Sequence, residues 1–363
     1  MSRRPLLIGG LALVIIAALL ATTSVLQRPA THPAATDSGP EPPGSSEPQA
    51  PAATTAPATA QCSRTLSGTQ TVDIDFDGTT YPVRVHVPDT ADPDTPLALV
   101  MDLHGSDSNG VFQASISELD AVADADETGF IVAQPSAAIA MTTNSPLADG
   151  NWAWNVPGVP TTAGQLPPDD ARDDVAFLSA VIEELTSEGC VDPQRVYVTG
   201  FSGGGRMASA LACARPDLVA AIAPVAGLRA GRASADDPAV IDTTDCASAQ
   251  GVSVMTFHGT ADQVNPYNGN SDPRWGYDVA TAVQGWADLD QCTETTTEQV
   301  SEHVQRTVHR GCAQDAEVVS YTVADGGHTW PGTSADISAL GAMTQEISAS
   351  QLMWEFFTAH PKG

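Results

Sequence analysis

Lysine is almost missing from this chain. Lys362 is the only one in 363 residues, and 15 Lys and Arg face 44 Asp and Glu, a formal charge of −29. Such a chain repels polyphosphate backbones and anionic membrane surfaces, so a nucleic-acid partner is not expected. The acids are scattered and form no single run, which reads as genome composition or salt adaptation and not as a site. Metal-ligand spacing is also lacking: no CxxC and no HxxxH occurs. Metal binding by the cysteines is thus the weaker reading. There is no internal repeat.

The N-terminus is rich in what the rest lacks. Arg3 and Arg4 precede LLIGGLALVIIAALL, the layout of a secretory leader, so the chain is expected to be exported. Residues 1–27 are a signal peptide if cut. If retained, they are a membrane anchor, since the apolar stretch from Leu6 to Leu26 nearly matches a bilayer span. The chain is then secreted, or tethered at the extracellular face. Residues 28–61 are Pro, Ala, Thr and Ser with little apolar bulk and read as a disordered spacer. That leaves 62–363 as a single folded domain, expected to be monomeric.

Six cysteines in an exported chain imply disulfides. Cys292 and Cys312 bracket a period-two segment, TTTEQVSEHVQRTVH, that reads as a hairpin or a loop returning on itself, so a local bridge is easy. Cys213 ends the segment after RVYVTGFSGGG, and Cys246 precedes VSVMTF; a bridge between them ties down the long loop in between. Cys62 and Cys190 pair by elimination.

The runs LALVMDL, GFIVAQP, RVYVTG, AAIAPVAG, VSVMTFHG and VVSYTV are apolar almost throughout, as in strands buried on both faces. Asp173 to Glu188 carries Val175, Leu178, Val181, Ile182 and Leu185 at helical spacing. Strands alternating with helices predict an α/β fold, with a mostly parallel sheet and helices on both faces.

In that frame Gly200-Phe201-Ser202-Gly203-Gly204 is G-x-S-x-G at a strand-to-helix junction, the setting of a nucleophile elbow. The competing reading is a Gly-rich turn with an incidental serine. A nucleophilic serine needs a base and an orienting acid, in the chain order Ser, Asp or Glu, His. His328, in the loop ADGGHTWPG after VVSYTV, is the candidate base. Asp262, in TADQVNPY after VSVMTFHG, is the candidate acid, ahead of Asp272 and Asp278. An oxyanion hole needs two backbone N–H groups. Gly203 supplies one and Ser106, in LHGSDSN, the other, while His104 holds that loop.

Together LHGSDSN, RVYVTGFSGGGRMASALAC, APVAG, FHGTADQVNPY and GGHTWPG resemble the secreted poly(3-hydroxybutyrate) depolymerases and feruloyl esterases, a carbohydrate-esterase-like group of α/β-hydrolases. The resemblance runs from Thr65 to the C-terminus. It implies Ser202, Asp262 and His328 as the triad, Ser106 and Gly203 as oxyanion donors, an ester substrate and no cofactor. Hydroxyalkanoate polymers or oligomers are the first substrate class, and feruloyl or acetylxylan esters the alternative. Many polymer depolymerases of this kind carry a separate binding domain, and here only a short spacer is found, which favours soluble or amorphous esters. Trp152, Trp154 and Trp330 are candidates to line an acyl pocket. A serine peptidase of the same fold and a non-catalytic surface-binding protein are the readings from other classes.

Overall fold

The computed structural model describes residues 65–142, 144–246 and 249–363. The leader expected over 1–27, the spacer over 28–61 and Cys62 lie outside the described residues, and the Cys62–Cys190 bridge stays an expectation with them.

Ten strands form one sheet. In chain order they are β1 (Gly68–Phe76), β2 (Thr79–Val87), β3 (Leu97–Leu103), β4 (Phe130–Gln134), β5 (Val191–Phe201), β6 (Ala221–Val225), β7 (Ser253–Gly259), β8 (Glu294–Gln299), β9 (Val304–Arg310) and β10 (Val318–Val323). Their order across the sheet is β1-β2-β4-β3-β5-β6-β7-β10-β9-β8. The six strands from β4 to β10 pair in parallel. Antiparallel hairpins close both edges. All six apolar runs are strands, and the mostly parallel sheet of the α/β-hydrolase fold is the one expected.

Alternation along the strands explains the two covered faces. Leu97, Leu99, Met101 and Leu103 of β3 join one apolar cluster, while Ala98 and Val100 join the other. The first cluster takes in Phe177 and Leu178 of α3 (Asp174–Glu188), Met207 and Leu211 of α4 (Gly203–Ala214), and Trp286 of α5 (Val279–Leu289). The second takes in Ile116 of α1 (Gly110–Ser117), Val122 of α2 (Leu119–Ala125), and Met353 and Phe357 of α6 (Ala349–Ala359). Parallel strands can be this apolar only when both faces are shielded from water.

The Asp173 carboxylate caps α3 by accepting from Ala176 N–H at 3.0 Å, which satisfies one of the free donors of its first turn. The Cys292–Cys312 bridge joins the base of the β8–β9 hairpin, and Cys213–Cys246 links the end of α4 to the segment before β7. No described helix is long and apolar enough to cross a membrane.

Candidate active site

Strand β5 carries its apolar residues to the C-terminal edge of the sheet and ends at Phe201, and α4 starts at Gly203. Ser202 between them has φ 55° and ψ −112°, a conformation that costs a non-glycine residue about 1–3 kcal/mol. Its backbone is held on both sides: Ser202 N–H donates to Val225 O at 2.8 Å, and Ser202 O accepts from Arg206 N–H at 3.1 Å. The flanking glycines are required by space. A Cβ on Gly200 would lie 2.6 Å from Gly204 C and 2.7 Å from Leu103 O, and one on Gly204 would overlap Leu103 O.

His328 and Asp262 meet beside this turn. His328 Nδ1 donates to Asp262 Oδ2 at 2.6 Å, and the His328 ring packs, tilted by 35°, at 4.9 Å from the ring of Phe201, the residue before the serine. The second carboxylate oxygen of Asp262 accepts the N–H groups of Val264 and Asn265, each at 2.8 Å. All three side chains are buried: Ser202 is 6%, Asp262 3% and His328 2% exposed.

A fourth group was not read as part of the site. His258 ends β7, with Nε2 3.2 Å from Asp262 Oδ2 and 2.9 Å from Asn265 O. Its place four residues before the acid, in FHGTAD, was the available signal.

Electrostatics follow from this geometry. Burial works to raise the Asp262 carboxyl, but hydrogen bonds from His258 and His328 outweigh it and hold the group well below the usual carboxylate range. Burial also lowers the His328 imidazole below the ordinary 6.5, against the raising effect of Asp262. A neutral imidazole whose Nδ1 proton is given to a carboxylate keeps a free lone pair on Nε2.

The loop after β3 runs beside the elbow. A Cβ on Gly203 would lie 3.1 Å from Ser106 N and 2.5 Å from Ser106 Oγ, so the two backbones are adjacent. Gly203 opens α4, where N–H groups have no intrahelical acceptor. Ser106 N–H donates to no acceptor among the described backbone bonds. His104 fixes the loop as expected: Nδ1 donates to Gly105 O at 2.7 Å, and Nε2 accepts Ala137 N–H at 2.9 Å. Burial pushes this imidazole down to about 4, and backbone groups occupy both of its nitrogens.

Residues 86–272, just over half of the chain, match the phospholipase/carboxylesterase family. The chain belongs to that family. It is 31% identical over 282 residues to NocK of Nocardia uniformis subsp. tsuyamanensis, a protein with an esterase name, and the match covers 72% of this chain and 73% of that one. Feruloyl esterase B of Piromyces equi is 32% identical over 184 residues, 48% of this chain and 31% of that protein. Feruloyl esterase C of Emericella nidulans is 30% identical over 191 residues, 52% and 58%. This carboxylesterase therefore spans between about a third and just over half of the length of these two feruloyl esterases. Among solved structures a thermostable esterase superposes with a TM-score of 0.50 at 16% identity, covering 81% of this chain and 63% of that one. That likeness shows the fold alone.

The tryptophans of the carboxylesterase depart from the acyl-pocket expectation. Trp330 is 1% exposed, packs in the core beneath α6, and gives its indole N–H to Ser350 Oγ at 3.0 Å. Trp154 is buried against the His104 ring at 4.9 Å and donates to His104 O at 2.8 Å. Both are packing residues, because tertiary burial claimed rings that adjacency alone suggested were free. Trp152 is half-buried and lines a cavity of about 500 Å³ with Tyr81 and Arg84, away from Ser202. Its backbone takes Asp107 N–H at 3.0 Å and gives its own N–H to Ser108 O at 2.9 Å, pinning the loop that carries Ser106. Asp278 caps α5 and Asp272 pairs with Arg274 at 2.6 Å, so neither competes with Asp262.

Proposed function

We propose that this chain is an exported serine carboxylesterase that works through Ser202, His328 and Asp262. The observation that carries the reading is the Asp262–His328 hydrogen bond at 2.6 Å, made beside a serine with φ 55°. His328 Nε2 takes the proton of Ser202 Oγ as the oxygen attacks the ester carbonyl. The N–H groups of Ser106 and Gly203 receive the negative charge that grows on the carbonyl oxygen. The C–O bond to the alcohol then breaks, and His328 returns its proton to the departing oxygen. Water, deprotonated by the same imidazole, attacks the acyl-serine; the bond to Ser202 Oγ breaks, His328 returns the proton to that oxygen, and the carboxylic acid leaves.

For the substrate, the motif resemblance supports hydroxyalkanoate esters, as oligomers or amorphous polymer. Feruloyl or acetylated cell-wall esters are the second reading, favoured by the feruloyl esterases B and C among the relatives. Export is supported by the leader-like N-terminus and by disulfides. The test is turnover of 3-hydroxybutyrate trimer, methyl ferulate and acetylated xylan by the wild type, with Ser202→Ala as control. Hydroxybutyrate trimer is expected to be the best substrate. Faster cleavage of methyl ferulate would reverse the order, and turnover by Ser202→Ala at the wild-type rate would overturn the serine mechanism.

A further inference from the structure

Beside α4 lies a cavity of about 330 Å³ whose wall includes Val156, Pro157, Arg206, Arg229, Arg232 and one acid, Asp245. Three of the chain's 15 basic residues converge there, in a protein of charge −29. Their charges are not equally compensated. Arg232 pairs with Asp242 and Asp245, each at 3.4 Å. Arg229 donates to the backbone carbonyls of Tyr277 and Trp275, which satisfy its N–H groups but bring no opposing charge.

Arg206 is the exception among the three. Its side chain is 4% exposed at the residue level, and neither Nε nor Nη2 has a hydrogen-bond partner. Trp275 covers the face of the guanidinium at 4.3 Å, which leaves the in-plane edge for hydrogen bonding. Nε and Nη2 form the edge that donates two parallel hydrogen bonds to the two oxygens of one carboxylate. Burial, with Arg229 and Arg274 nearby, pushes this guanidinium well below the ordinary arginine range, against the raising effect of Tyr277 and Asp262.

We propose that this cavity is a carboxylate subsite, in which the Nε and Nη2 edge of Arg206 takes a carboxylate group of an anionic ester substrate. The inference rests on the serine esterase reading, because it gives the substrate of that same site. Arg206 N–H bonds to Ser202 O, so the subsite begins one helical turn, about 5.4 Å along α4, from the nucleophile. A few methylenes bridge that span. A buried, unpaired charge is costly to keep, and an acidic protein repels anionic esters at long range. A cavity wall with three arginines against one acid, on the helix that starts beside the nucleophile, provides the local attraction that such a substrate requires. The carboxylate has to enter the cavity to reach the buried edge, which favours slender aliphatic acyl chains over bulky ones.

The experiment has a binding arm and a turnover arm. Glutarate is titrated into full-length Ser202→Ala by calorimetry, and again after adding Arg206→Met or Arg206→Lys. Wild type, Arg206→Met and Arg206→Lys are compared on mono-p-nitrophenyl glutarate and p-nitrophenyl butyrate. One glutarate is expected per chain, bound at least tenfold more weakly after Arg206→Met. The ratio of kcat/KM for the glutarate ester to that for the butyrate ester should fall at least tenfold in Arg206→Met and less in Arg206→Lys, which keeps a charge without the fork. The melting temperature of Arg206→Met should hold or rise, since an apolar chain replaces an uncompensated ion. Absence of glutarate binding, or the same ratio in all three proteins, would overturn the subsite while leaving the triad intact. Butyrate turnover by Ser202→Ala would instead overturn the mechanism, and glutarate binding does not depend on it.

Discussion

Asp262 Oδ2 lies 2.6 Å from His328 Nδ1 and 3.2 Å from His258 Nε2, so one carboxylate oxygen serves two imidazoles. The other oxygen is taken by two backbone N–H groups. A carboxylate with three donated hydrogen bonds and a second imidazole 3.2 Å away is fixed in position. It can orient the base without taking its proton.

Asp262→Asn keeps the side-chain shape but removes the charge and presents a donor where Oδ2 accepted. We expect kcat for p-nitrophenyl butyrate to fall by about 10⁴-fold. His328→Ala and Ser202→Ala should each lose at least as much, and the triple variant little more, because the groups act as a unit. Steady-state kinetics on the four proteins check this; losses that multiplied would contradict it.

The pH dependence follows from His328. Its protonated form cannot accept the serine proton, so kcat/KM rises with pH and reaches a plateau above the imidazole pKa. Burial lowers that pKa, and the midpoint should therefore fall below 6.5. Asp262 stays ionised across this range. A kcat/KM profile with its midpoint above 6.5 would refute the assignment.

Gly204→Ala should disable the elbow without touching a reacting group. The new methyl overlaps Leu103 O, which forces β3 and α4 apart. A destabilisation of about 1–3 kcal/mol is expected, as for other overpacked sites. Activity should drop by more than about 100-fold as the oxyanion donors separate. Thermal unfolding and butyrate turnover, measured together, decide it.

Asp290 gives a stability prediction. It is fully buried, accepts Gly251 N–H at 2.8 Å through Oδ1, and leaves Oδ2 without a partner. Burial raises its carboxyl to about 7, against the effect of Gly251. A folded pKa above the unfolded 3.8 favours the fold at low pH, and this advantage is lost as pH rises through about 7. Asp290→Asn cannot ionise, so its stability relative to wild type should improve by about 2–4 kcal/mol from pH 4 to pH 9. Paired denaturant titrations at the two pH values would expose a constant difference, which is the contrary result.

The two described bridges close chain separations of 33 and 20 residues. Each should stabilise by about 3–4 kcal/mol, chiefly by restricting the unfolded chain. Cys292→Ala with Cys312→Ala should lower the melting temperature while p-nitrophenyl butyrate turnover at 25 °C persists. Non-reducing peptide maps check the pairing, and a Cys213–Cys292 peptide would contradict it.

Strands, elbow and hairpin were legible in the chain because each is a local pattern: an apolar run, a glycine-flanked serine, a period-two segment between cysteines. Asp262 and His328 were legible as loop residues in the right order, and so was the holding role of His104. What the sequence by itself determined is which groups arrive at the C-terminal edge of the sheet. Other features depend on segments brought together only by folding. Trp330 sits two residues from the base, yet α6 packs over it, and Trp154 is taken by the His104 loop 50 residues away. The second imidazole on Asp262 and the unpaired edge of Arg206 leave no periodic mark either. Only tertiary packing decided them, because burial and hydrogen-bond partnership depend on surroundings supplied by distant parts of the chain.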